Sequence, residues 1–132
     1  RYTIIDDFGN LINPMLVEGQ VHGGVVQGIG QALFERVVYD EDGQLLTASF
    51  MDYAMARAED VPMMYFDTEA TQSLYNPMGM KGCGEAGTVG ALAAITNAVQ
   101  DAVWDLGVRD VQMPFTPHRV WQMLNRVGDA SP

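Results

Sequence analysis

The residues best suited to chemistry are Gly79-Met80-Lys81-Gly82-Cys83-Gly84-Glu85-Ala86-Gly87, where four glycines and one carboxylate share nine positions. Glycine permits backbone conformations that turn several N–H groups toward one point, and a helix expected from Thr88 adds the partial positive charge of its N-terminus. Such a loop suits an oxyanion or a polar cofactor. A carboxylate at Glu85 can reach a reacting atom without steric obstruction and serve as a general base. It can equally complement the helix end, an interaction worth about 0.3–1 kcal/mol.

Two familiar phosphate-binding loops are poor matches. Gly82, Gly84 and Gly87 have the spacing of the dinucleotide fingerprint, but Asn76-Pro77-Met78-Gly79 precedes them where an apolar parallel strand is required. Asp101 and Asp105, at about the distance of the expected ribose-binding acid, fall inside a helix. The loop of nucleotide hydrolases needs its lysine after the last glycine, and Lys81 comes before Gly82. Cys83 has no identifiable histidine partner and reads as a structural thiol. His22 and His118 are too isolated for a metal pair, so no metal ligand is assigned.

The elements that must position this loop follow from periodicity. Tyr2 to Ile5 reads as a strand, followed by turn residues Asp6 to Asn10 and a break at Asn13-Pro14. From about Glu18 to Arg36, Val21, Val25, Ile29 and Leu33 form the buried stripe of a long helix. Its other side gathers Gln20, Gly24, Gln27, Gly28 and Gln31. Glycine costs about 1 kcal/mol relative to alanine inside a helix, so Gly23, Gly24, Gly28 and Gly30 imply that something approaches this backbone closely. A packed neighbouring element and a ligand held by the glutamines are both open readings.

Val37 to Tyr39 and Leu45 to Phe50, joined through Asp42-Gly43, predict an antiparallel hairpin, and Met63 to Glu69 predicts another strand. The stretch from Ala70 to Gly87 has no period, and a loop of that length is usually functional. A second long helix is expected from about Thr88 to Leu106, with Val89, Leu92, Ile95, Val99, Val103 and Leu106 on its buried side and Gly107 at its stop. Val111 to Phe115 offers a short strand. Thr116-Pro117 then starts a short C-terminal helix to about Arg126 that buries Val120, Trp121 and Leu124. Strands and helices do not alternate regularly, which favours an α+β fold over a doubly wound one.

Composition narrows the partners. The 132 residues suffice for one core, and a net charge of -10 disfavours nucleic acid and anionic lipid. No apolar run approaches the ~18 residues of a membrane span. One cysteine precludes an internal disulfide and fits a reducing, cytoplasmic setting. Arg1 opens directly into a strand already under way, so the sequence reads as a piece of a longer polypeptide.

Asp7-x-Gly9, Ile12-Asn13-Pro14, Gly19-Gln20-x-x-Gly23-Gly24-x-x-Gln27-Gly28-Ile29-Gly30, Asp52-Tyr53 and Asn76-Pro77-x-Gly79-x-Lys81-Gly82-x-Gly84-Glu85 together resemble a known family. The resemblance runs on through Met113-Pro114 and Val120-Trp121. The family is that of the molybdenum-binding large subunits of molybdenum hydroxylases: xanthine dehydrogenase, aldehyde oxidoreductase and aerobic carbon monoxide dehydrogenase-like enzymes. The resemblance implies that residues 1–132 are a C-terminal segment of the molybdopterin-binding domain. It implies a molybdopterin cofactor, in bacteria usually the cytosine dinucleotide form, with Gln20, Gly82 and Gly84 as contacts. It implies further that Glu85 matches the family's catalytic base, which takes a proton from Mo–OH as oxygen attacks an electron-poor substrate carbon.

Partners implied by the same resemblance are the remainder of the large subunit and subunits or domains carrying 2Fe–2S clusters and FAD. The copper-binding cysteine of carbon monoxide dehydrogenases has no counterpart in Cys83. The substrate that the resemblance implies is a small molecule: an aldehyde, an N-heterocycle or carbon monoxide. A noncatalytic assembly module that retains the fold and a dinucleotide-binding domain are the alternatives.

Overall fold

A computed structural model describes residues 1–128. The chain forms an α+β arrangement: strand β1 (Tyr2–Asp6), helix α1 (Pro14–Leu33), strand β2 (Met64–Thr68), helix α2 (Ala86–Trp104) and helix α3 (Pro117–Gly128). The two strands pair in parallel, Ile4 opposite Phe66.

Helix α1 begins earlier than its apolar stripe. Asn13 caps it by accepting the Leu16 amide on Oδ1 at 3.2 Å, and Pro14 takes the first helical position, where its missing N–H costs nothing. The sequence break at Asn13-Pro14 is therefore the start signal itself. At the other end, the amides of Phe34 and Glu35 both donate to the Gly30 carbonyl at 2.9 and 2.8 Å, which closes the helix before Arg36.

Val21, Val25 and Ile29 of the predicted stripe are fully buried and, with Ile4, Phe8 and Ala91, form the core. Helix α2 meets α1 through small residues rather than through its large apolar side chains. A methyl added at Gly28 would lie 2.5 Å from Ala91 Cβ, and one added at Gly87 would lie 2.8 Å from the Val25 amide nitrogen and collide with the Val21 carbonyl. The Thr88 hydroxyl donates to the Gly24 carbonyl across the same contact at 3.0 Å. Close backbone approach thus selects Gly24, Gly28, Gly87 and Ala91, as a packed neighbour requires. On α2 only Val103 of the predicted stripe is fully buried, while Val89 and Leu106 are exposed.

Three expectations need correction. The hairpin at 37–50 keeps its turn, with Asp40 Oδ1 accepting the amides of Asp42 and Gln44, but only Tyr39 and Leu45 bridge and no ladder forms. Its apolar residues Val37, Tyr39, Leu46 and Phe50 stay exposed, and a two-stranded ribbon with no covered face is marginal. Val111 to Phe115 is not a strand: Pro114 has no N–H for a ladder, and the Phe115 amide instead docks on the Ala32 carbonyl at 2.7 Å. Helix α3 starts as predicted, with the Arg119 amide on Thr116 Oγ1. Its Trp121 is 60% exposed rather than buried, and Leu124 is likewise exposed.

Candidate active site

The loop between β2 and α2 contains neither helix nor strand, yet it is tied down along most of its length. Its later part lies against the segment leaving β1: Gly9 bridges Met80, the Asn10 amide donates to the Gly79 carbonyl at 3.1 Å, and the Lys81 amide donates to Phe8 at 2.9 Å. Gly9 and Gly79 both take positive φ, at 62° and 66°, and the Gly79 carbonyl fills the space a side chain at residue 9 would need. Asn76 closes the turn from within, donating to the Met80 carbonyl and accepting the Met80 amide.

Beyond Lys81 the glycines stand open. A methyl added at Gly82 or Gly84 would meet nothing within 4 Å, and both residues are exposed. The chain is caught again where Gln20 of α1 donates its side-chain amide to the Gly84 carbonyl at 2.9 Å. Glu85 follows at the N-cap position of α2, exposed and making no side-chain capping bond. The carboxylate thus stands at the positive end of α2 without making a hydrogen-bonded cap. The first amide bonds onto Glu85 come from Thr88 and Val89, so the amides ahead of Thr88 have no partner within α2.

Gln20, Gly84 and Glu85 are thus gathered at one end of the α1–α2 pair, with Gly82 two residues from Gly84. Cys83 is half-buried and packs on the core, as a structural thiol does. His22 sits edge-on to Phe66 and His118 stacks on Trp121. Among the described residues, no group of three or more His, Cys, Asp or Glu side chains could hold a metal ion. An apolar groove of about 310 Å³, lined by Phe8, Leu11, Val17, Met80 and Cys83, runs beside the loop.

Residue-type reasoning missed one cluster. Lys81 Nζ lies 2.5 Å from Asp7 Oδ2 and 2.7 Å from Thr71 Oγ1. The Thr71 hydroxyl also donates to Asp7 Oδ2, and the amides of Gly9 and Thr71 donate to Asp7 Oδ1, each at 3.0 Å. The Lys81 ammonium, then the Thr71 hydroxyl and these amides, hold the Asp7 carboxyl well below the usual carboxylate range. The signal available in the sequence was that Asp7 and Lys81 both belong to the motifs carrying the family resemblance.

The molybdopterin cofactor-binding domain family matches residues 1–62. The gamma subunit of the 6-hydroxypseudooxynicotine dehydrogenase complex from Paenarthrobacter nicotinovorans is 44% identical over 131 residues, 98% of this chain and 16% of that one. A crystal structure of Cu,Mo-CO dehydrogenase superposes with a TM-score of 0.91 at 39% identity, over 98% of this chain and 16% of that chain. The chain belongs to the molybdenum hydroxylase large-subunit family. Quinoline 2-oxidoreductase from Pseudomonas putida 86 is similar too, with a TM-score of 0.89 and 42% identity over 93% of this chain and 16% of that one. The chain spans about one-sixth of the length of the relatives it matches. The dinucleotide fingerprint finds no support in this family's fold, since β2 ends at Thr68, well ahead of Gly82.

A cofactor of the molybdopterin kind fits these residues on structural grounds. The backbone at Gly82 and Gly84 is bare on the side where added methyls would meet nothing. Helix-end amides that have no partner within α2 and the Gln20 carboxamide lie at the same end of the helix pair. These are donors for an anionic, polar group. They are not a thiolate or imidazole set for a bare metal.

Proposed function

We propose that residues 1–132 are a C-terminal segment of the molybdopterin-binding domain of a molybdenum-dependent oxidoreductase, and that Glu85 is its general base. The observation that carries this reading is the placement of Glu85: exposed, free of any capping bond, and directly after the open Gly82 to Gly84 backbone that Gln20 holds. When bound, the molybdenum cofactor supplies oxygen transfer and accepts two electrons. Gln20 and the backbone at Gly82 and Gly84 hold and orient it. The Glu85 carboxylate would accept the proton that the attacking oxygen gives up as the new carbon–oxygen bond forms, and packing of α2 on α1 holds the backbone that carries it.

The substrate class proposed is a small molecule with an electron-poor carbon, an aldehyde or N-heterocycle, or carbon monoxide. The names of the similar proteins, a CO dehydrogenase and a quinoline oxidoreductase, support that range. The cytosine dinucleotide form of the cofactor, 2Fe–2S and FAD partners, and a cytoplasmic location belong to the same proposal. None of the described helices is long and apolar enough to cross a membrane.

The test is Glu85→Gln in the complete complex. Turnover per molybdenum is expected to fall by about 10²–10⁴-fold, the usual contribution of a positioned base, with molybdenum content close to that of the unaltered enzyme. Near-normal turnover removes the catalytic assignment. Absence of molybdenum from the unaltered complex leaves the assembly-module reading in its place.

A further inference from the structure

We propose that Lys81, held by Asp7 and Thr71, is a positioning residue that sets the path of the loop delivering Glu85. The catalytic half of this inference rests on the role proposed for Glu85. Lys81 is the last hydrogen-bonded point of the loop before Gly84: its amide is bound to Phe8 and its ammonium to Asp7 and Thr71. Among the described residues, Gly82 and Cys83 make no hydrogen bond; apart from the packing of Cys83 on the core, the polar ties of that short glycine-flanked span lie at its two ends. One end is Gln20 on Gly84. The other is Lys81.

Magnitudes argue that the cluster serves position more than folding. Both partners of the ion pair are 35% exposed in their side chains, and pairs of that kind typically contribute about 0–1 kcal/mol to stability. Yet Asp7 collects the Lys81 ammonium, the Thr71 hydroxyl and two backbone amides on its two oxygens. Thr71, on the loop's incoming limb, is bonded to Asp7 directly; what the ammonium adds is a tie from the outgoing limb at Lys81 to both of them. Asp7 thus joins both limbs of the loop to the exit of β1. Displacement of a reacting group by about 1 Å can cost on the order of 10²-fold in rate, far more than the pair contributes to folding.

The experiment compares Lys81→Met, Lys81→Arg, Thr71→Val and Glu85→Gln in the complete, cofactor-loaded complex. Lys81→Met is expected to speed hydrogen–deuterium exchange of the amides at 82–87 by about tenfold, with α1 unchanged. Turnover per molybdenum is expected to fall by about 10²-fold, while KM stays within about threefold. Lys81→Arg should recover most of the lost turnover. Unchanged exchange at 82–87 overturns the proposal, as does a loss of activity carried entirely by KM. If Lys81→Met does not assemble, Thr71→Val removes one partner and must shift exchange at 82–87 in the same direction; no shift overturns the proposal. The two readings fail separately. Normal turnover in Glu85→Gln with loosened 82–87 in Lys81→Met removes the base and leaves the loop anchor standing. An inactive Glu85→Gln beside an undisturbed Lys81→Met does the reverse.

Discussion

Glycine is used in opposite ways at the two places where this chain concentrates it. Between α1 and α2, Gly24, Gly28 and Gly87 are buried, and a methyl on any of them meets the facing helix. In the loop just before α2, Gly82 and Gly84 are exposed and a methyl meets empty space. The first set exists so that two helices can touch; packing already explains it. The second set has no such explanation inside this chain, and an unexplained bare backbone next to an uncapped carboxylate is where a ligand belongs. On the function proposed, the helix contact is the mount and the loop the working part.

The largest expected effect separates them by chemistry. Glu85→Gln belongs to the working part, so it should remove about 10²–10⁴-fold of turnover without moving the unfolding transition of the large subunit. A comparable loss of stability would place Glu85 in the mount and break the distinction.

A methyl at each kind of glycine gives the next test. Gly87→Ala forces a Cβ against the Val21 and Val25 backbone, which cannot swing aside as a side chain can, and overpacking of this kind costs about 1–3 kcal/mol. Gly84→Ala should stay within about 0.5 kcal/mol of the unaltered subunit, because nothing surrounds the new methyl. Its deficit should appear instead as lower molybdenum content and turnover. Urea unfolding of the cofactor-free large subunit and metal analysis of the loaded one measure the two columns. If Gly84→Ala loads and turns over normally, the open backbone is not a ligand surface.

The sequence told these regions apart only in part. Periodicity of four exposed the α1 stripe because Val21, Val25 and Ile29 are large and truly central. On α2 the same reasoning pointed to Val89 and Leu106, which are exposed, because the contact there is made by residues too small to register as apolar. The glycine-rich face of α1 left a packed neighbour and a ligand equally open; the coordinates give Gly24 and Gly28 to packing and bring Gln20 to the loop. Glu85 and its glycines stood out locally because they are adjacent in the chain. The cluster of Asp7, Thr71 and Lys81 did not, since its members are up to 74 positions apart and only a folded chain brings them together.

The smallest expected effect uses pH to divide the same two regions. Gly24, Gly28, Gly87 and Ala91, where α1 and α2 meet, are not titratable, and none of the atoms closest to Gly24, Gly28 or Gly87 belongs to a titratable side chain, so that contact should respond to acid less than the loop does. The loop is anchored on Asp7, whose carboxyl is held below its ordinary value chiefly by Lys81. A carboxyl depressed in the folded state adds stability that is fully present above its unfolded pKa, about 3.9, and is lost as pH falls toward the lower folded value. Asp7→Asn should therefore loosen exchange at 82–87 by a constant factor from neutral pH down to about pH 5, and the gap from the unaltered protein should close only below about pH 4. Gly87→Ala should show no such closing. If the Asp7→Asn gap is already gone at pH 6, another group holds the loop, and the working part is anchored somewhere other than the end of β1.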